Sequence, residues 1–202
     1  MTDRYIETLC KANKPINETK SKRNIMPIPQ AEGIPSGKNG KRWIGIAPFA
    51  QHQGKVYPLS KMQEVVRLLA QNDSTELFIF GGGEKEKSIA KEWTAIGGNV
   101  HNAIGIMKLK EELALISNLD VMVSMDSSAM HMASLFGVRT VSIWGATHPY
   151  AGFLGYGQKI EDVVQKEDMK CRPCSIFGNK PCSRGDFACM DIKPEVIVSR
   201  IG

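Results

Sequence analysis

A chain of 202 residues with 42% hydrophobic content has an ordinary globular composition and is long enough to bury one sizeable core. No apolar run approaches the roughly 18 residues of a membrane span and no signal-peptide core follows the first methionine, so the sequence reads as cytoplasmic. The formal charge of +5 is local: residues 1–42 hold nine Lys/Arg against four Asp/Glu, whereas residues 43–202 hold seventeen of each. The chain therefore divides into a basic, Pro/Gly-rich linker or remnant, 1–42, and a neutral body, 43–202. The basic part reads as a solvated, partly disordered tail, although its charge leaves peripheral contact with the inner face of the cytoplasmic membrane open. No nucleic acid is expected as a partner, because the body has no basic stripe interleaved with aromatics.

From Trp43 onward the elements alternate. Trp43-Ile-Gly-Ile-Ala47 predicts a short strand and Pro48 to Pro58 a loop, followed by a helix over Leu59 to Gln71 with apolar residues at helical spacing. Glu76 to Phe80 predicts a second strand, Gly81-Gly-Gly83 its turn, and Glu84 to Ile96 a helix stopped by Gly97-Gly98. Leu109 to Asn118 is a further helix, Asp120 to Met125 a strand, Ser128 to Phe136 a helix and Thr140 to Trp144 a strand. The strands are continuously apolar, which is the pattern of strands covered on both faces. The fold class is α/β, a doubly wound, Rossmann-like parallel sheet.

In such a fold the loops at strand carboxyl ends converge on one crevice. Four of them carry chemistry. Pro48 to Pro58 holds Gln51, His52, Gln53 and Lys55. Gly81-Gly82-Gly83-Glu84 lets a ligand approach the backbone and offers a carboxylate to ribose hydroxyls. Asp126, Ser127, Ser128, Ala129, Met130 and His131 form a strand-to-helix turn, where uncapped backbone N–H groups and the helix dipole attract phosphate. Trp144 to Pro149 adds Thr147 and His148. A cation, a carboxylate and a helix N-terminus on adjacent loops suit a nucleotide diphosphate. The chain has no G-x-G-x-x-G after the first strand and no G-x-x-x-x-G-K-[ST], which argues against a dehydrogenase and a P-loop NTPase.

Lys55-Val-Tyr-Pro58, Gly81-Gly-Gly-Glu84, Asp126-Ser-Ser-Ala-Met-His131 and Trp144-Gly-Ala-Thr-His-Pro149, in that order, resemble the donor-binding half of glycosyltransferase family 9, the lipopolysaccharide heptosyltransferase family. The resemblance covers roughly residues 43 to 200. It implies one half of a GT-B enzyme, in which this domain binds the nucleotide sugar, ADP-heptose-like, and another binds a lipopolysaccharide-type or similar glycan acceptor. Lys55 and His131 would neutralise the diphosphate with the N–H groups of Ser128 to Met130, Glu84 would hold the ribose and Asp126 would contact the donor sugar. No cofactor is implied for catalysis, and no Asp-x-Asp pair stands ready for a metal. The general base belongs to the acceptor half, which is expected to be a separate domain, so no catalytic residue is assigned here. Ser128 stands where the family usually has glycine and His148 where an acidic residue is common, which leaves the donor sugar open.

Cys171, Cys174, Cys182 and Cys189 lie within nineteen residues, in a small Cys-rich segment, 171–189; Cys10 stands apart. A structural zinc on these four thiols, disulfides, and free thiols in a small subdomain all remain open from the spacing Cys-x₂-Cys and Cys-x₆-Cys. Three rival functions also remain. A non-catalytic nucleotide-binding module would show no transfer, and a nucleotide-sugar epimerase would alter the sugar without acceptor. A zinc-stabilised interaction module would bind no nucleotide.

Overall fold

The computed structural model describes residues 23–202, so most of the basic leader, and Cys10 with it, lies outside the described residues. Six strands, β1 (Arg42–Ala47), β2 (Thr75–Ile79), β3 (Val100–Asn102), β4 (Val121–Met125), β5 (Arg139–Trp144) and β6 (Val163–Gln165), form one sheet in the order β3-β2-β1-β4-β5-β6. Every pairing is parallel, with Ile44 opposite Leu77 on one side and Val121 on the other. The helices are α1 (Leu59–Ala70), α2 (Glu84–Trp93), α3 (Leu109–Asn118), α4 (Ser128–Leu135) and α5 (Pro194–Ile201).

Strand alternation sends successive side chains to two separate cores. Ile44, Ile46, Leu77, Ile79, Val121 and Val123 face one way and meet Met62 and Val66 of α1, Ala90 and Trp93 of α2, and Ile197 and Ile201 of α5. Trp43, Phe78 and Met122 face the other and meet Leu115 and Ile116 of α3 and Ala129 and Ala133 of α4. The continuous apolar runs of β1, β2 and β4 follow from this, because a strand covered on both sides has no solvent face to keep polar. No described helix is long and apolar enough to cross a membrane.

The sequence missed three elements. β3 and β6 have three residues each, too few to show a period, and α5 begins at Pro194, which sits in its first turn where a missing N–H costs nothing. The expected helix over Glu84 to Ile96 is α-helical only to Trp93 and closes with a 3₁₀ turn. Residues 23–41 contain no helix or strand, yet they do not lie free. Met26 N–H donates to Ser117 Oγ at 2.9 Å, Asn118 Nδ2 donates to Met26 O at 2.8 Å, and Ile28, Ala31 and Ile34 pack on the α3 side of the core.

His101, which would pass for a surface histidine, stacks on Phe78 at 5.1 Å and stands 2.5 Å from Glu76 Oε2, while Lys41 Nζ reaches Glu76 Oε1 at 2.7 Å. Burial acts to raise the Glu76 pKa, but the hydrogen bonds from Lys41 and His101 outweigh it and hold the carboxyl below its usual range. A depressed native pKa stabilises the fold above the unfolded value and loses that contribution as pH falls through the native one. Glu76→Gln is therefore expected to cost about 1 kcal/mol at pH 7. Urea melts should show the gap to wild type closing below about pH 4.5; a gap that persists at pH 3 would contradict this account.

Candidate functional site

Adjacent connections leave the sheet in opposite directions between β1 and β4, and open sheets bind ligands at such a switch point. A cavity of about 680 Å³ lies there, a volume typical of small-molecule sites. Its wall takes Phe49, His52 and Lys55 from the loop after β1, Phe80 and Gly82 from the β2–α2 turn and Glu86 from the first turn of α2. Glu112 comes from α3, Asp126 to Ala129, His131 and Met132 from the β4–α4 turn, and Phe153, Phe177 and Asn179 from beyond β5.

Ten of the residues singled out in the sequence meet on this wall: Gln51, His52, Lys55, Gly81, Gly82, Asp126, Ser127, Ser128, Ala129 and His131. Gly83, Glu84, Met130 and Thr147 are not on it. Gly83 makes the turn with φ 82°, and Glu84, the first residue of α2, is exposed outside the cavity. Glu86 lines the cavity where Glu84 does not, because two helical positions differ by about 200° around the axis. It accepts a hydrogen bond from Gly82 N–H at 2.7 Å. The Met130 side chain is buried against Trp144 and Val163, and Thr147 lies wholly behind the wall, its hydroxyl without a partner. His148 is occupied locally, its Nδ1 accepting from Tyr150 N–H at 3.2 Å.

The groups suited to an anion sit at one end of the cavity. Ser127 precedes α4 as its N-cap, but its hydroxyl pairs with Ser124 Oγ at 2.9 Å instead of capping the helix. The first N–H groups of α4 are thus left without a side-chain acceptor, facing the cavity with the positive end of the dipole. Lys55 Nζ stands 2.8 Å from Asp126 Oδ2, with the side chains 15% and 5% exposed. That carboxylate oxygen accepts no hydrogen bond of standard geometry, so charge alone holds the pair. Burial pushes the Glu112 carboxyl up on the far side of the cavity.

The Cys-rich segment bears on the three readings left open for its thiols. Its four cysteines are free, and among the described residues no three His, Cys, Asp or Glu side chains are placed to hold a metal. The structural zinc left open on Cys171, Cys174, Cys182 and Cys189 thus has no ready ligand set there, although the thiols lie near enough to act on one another, Cys171 and Cys182 on Cys174, and Cys174 and Cys182 on Cys189. Cys189 is in the main core; burial pushes its thiol and that of Cys174 up. Backbone hydrogen bonds, Phe187 first, pull Cys182 down on an exposed loop. What ties the segment to the body is Arg172, a residue the sequence did not flag. It donates to the carbonyls of Gly145 (2.5 Å), Lys166 (2.7 Å) and Thr147 (3.0 Å), and to Gln165 Oε1 (3.0 Å).

Comparison with known proteins agrees with this geometry. Residues 8–178 match the model of glycosyltransferase family 9 (heptosyltransferase), so the likeness begins well before Trp43. Lipooligosaccharide heptosyltransferase 2 of Campylobacter jejuni subsp. jejuni serotype O:6 (strain 81116 / NCTC 11828) is 29% identical over 170 residues, 81% of this chain and 52% of that protein. The chain thus spans about half the length of the curated relatives it matches. Among solved structures, E. coli ADP-heptose lps heptosyltransferase II superposes with a TM-score of 0.61 at 19% identity, over 81% of this chain and 46% of that one. E. coli heptosyltransferase WaaC with ADP gives 0.58 at 16%, over 81% and 44%. At these identities the structures speak for the fold. The family match covers most of the sequence, and the chain belongs to glycosyltransferase family 9, the heptosyltransferase family.

Proposed function

We propose that this chain binds a nucleoside-diphosphate sugar, ADP-heptose-like, as the donor half of a glycosyltransferase acting on a lipopolysaccharide-core type of acceptor. The observation that carries the reading is the uncapped N-terminus of α4 sharing a cavity with Lys55 and His131. In the transfer, an acceptor hydroxyl oxygen attacks the anomeric carbon and loses its proton to a base supplied from outside the described residues. The bond from that carbon to the diphosphate oxygen breaks, and the leaving nucleoside diphosphate keeps the electron pair. Lys55, His131 and the α4 N–H groups meet the charge that develops there, an electrostatic role whose single donors are typically worth about 3 kcal/mol. Glu86 is the carboxylate placed for the ribose, since Glu84 is outside the cavity. This scheme asks nothing of a metal. The ADP bound to a relative of the same fold supports adenine as the base.

Titration calorimetry with ADP, UDP and GDP tests it. ADP is expected to saturate one site, and His131→Ala to weaken it about tenfold, the value of a charge-assisted hydrogen bond at an exposed position. Failure of all three nucleotides to bind wild type would overturn the reading.

A further inference from the structure

The Cys-rich segment looks like an appendage in the sequence, yet residues 177–179 stand inside the architecture of the cavity. Phe177 and Asn179 are on its wall, and Gly178 between them is buried. Gly178 has φ +70°, a conformation that favours glycine, and the space beside it is full. A Cβ there would come within 3.0 Å of Lys55 Cγ, 3.1 Å of Lys55 Cε and 3.1 Å of Thr147 Cγ2. The Thr147 methyl belongs to a fully buried side chain, and Cγ lies near the root of the lysine rather than at its mobile tip, so neither yields easily. The surrounding strands of chain are fixed to one another. Ala146 N–H donates to Gly54 O at 2.9 Å, Cys174 N–H to Ala146 O at 2.8 Å, and Arg172 grips the carbonyls on either side of Ala146.

We infer that the Cys-rich segment is a working wall of the donor cavity, and that Gly178 is a positioning residue that sets where the Lys55 ammonium stands. This rests on the donor reading above and deepens it. The lysine stem lies against a surface that only glycine leaves open, which directs Nζ to Asp126 and to the place of the diphosphate. Gly178 therefore acts on the phosphates, through Lys55, and not on the nucleoside.

The test compares ADP with adenosine. Gly178→Ala is expected to weaken ADP about tenfold while adenosine binds as to wild type, because a displaced lysine costs only the phosphate contacts. In a Lys55→Ala background the same substitution should have no further effect on ADP. A general loosening of the fold would weaken both ligands, and would weaken ADP in either background; that outcome overturns the inference, as does Gly178→Ala binding ADP like wild type. Should Gly178→Ala fail to fold, Arg172→Lys loosens the same wall from behind and takes the same comparison, with selective loss of ADP expected. Wild type that binds no ADP would instead sink the donor reading itself.

Discussion

Replacing Lys55 with alanine is expected to lower affinity for ADP about 100-fold and to destabilise the nucleotide-free protein by about 3 kcal/mol. The two losses have different origins. The first is a cation removed from beside the diphosphate. The second comes from Asp126, which is 5% exposed and whose Oδ2 has no partner but the lysine charge. A carboxylate left in that position is desolvated and uncompensated. Lys55→Met combined with Asp126→Asn, which removes both charges and keeps the volumes, should restore most of the stability and none of the affinity. Urea melts and calorimetry on the two variants separate the terms. If Lys55→Ala binds ADP as tightly as wild type, the lysine has no part in the site.

The largest effect on stability is expected at Trp43. It is fully buried in β1, tilted against Phe78 with ring centroids 4.8 Å apart, and roofed by Lys38 with Nζ 5.9 Å from the ring. Truncation to alanine should cost about 4 kcal/mol and lower Tm by about 10 °C. Phenylalanine should cost much less. The indole Nε1 is buried without a hydrogen-bond partner, and a phenyl ring removes that orphaned donor along with part of the volume. A Trp43→Phe protein as unstable as Trp43→Ala would show that shape, and not the orphaned N–H, decides the site.

The four longer strands were legible because two-sided burial writes itself as an unbroken apolar run. The strand-to-helix turn on the cavity wall was legible for a different reason: Asp126, two serines and His131 combine an N-cap position with polar side chains within about one helical turn. What the residues did not show was phase and distance. Glu84 and Glu86 both lie in the first turn of α2, and which of them meets the cavity depends on how that helix is turned against the sheet. Phe177 and Asn179 reach the cavity from well beyond the last strand-to-helix turn, and Arg172 ties their segment to the body. Arg172 does so through main-chain carbonyls, which any side chain would present, so its partners leave no trace in the pattern. The same holds for the cysteines. Their spacing suggested a common centre, but spacing along a loop says nothing about which thiol enters the core, and Cys189 does.

The place of β1 in the sheet governs the order in which the site can appear. Its second residue, Trp43, hydrogen-bonds through N–H to Asp120 Oδ2 at 2.8 Å, across a separation of 77 residues. One edge of β1 is satisfied early by β2, whereas the other has no neighbour until β4 is made. Closing so long a loop is slow, since chain entropy is lost before any contact offsets it. The crevice between β1 and β4 is thus among the last features to form, and its far wall, Phe177 to Asn179, comes later still along the chain. A form in which β4 has not docked on β1 lacks the whole cavity. A nucleotide that binds it stabilises only the finished chain, by RT ln(1 + [L]/Kd), and so draws the last step of folding forward by mass action.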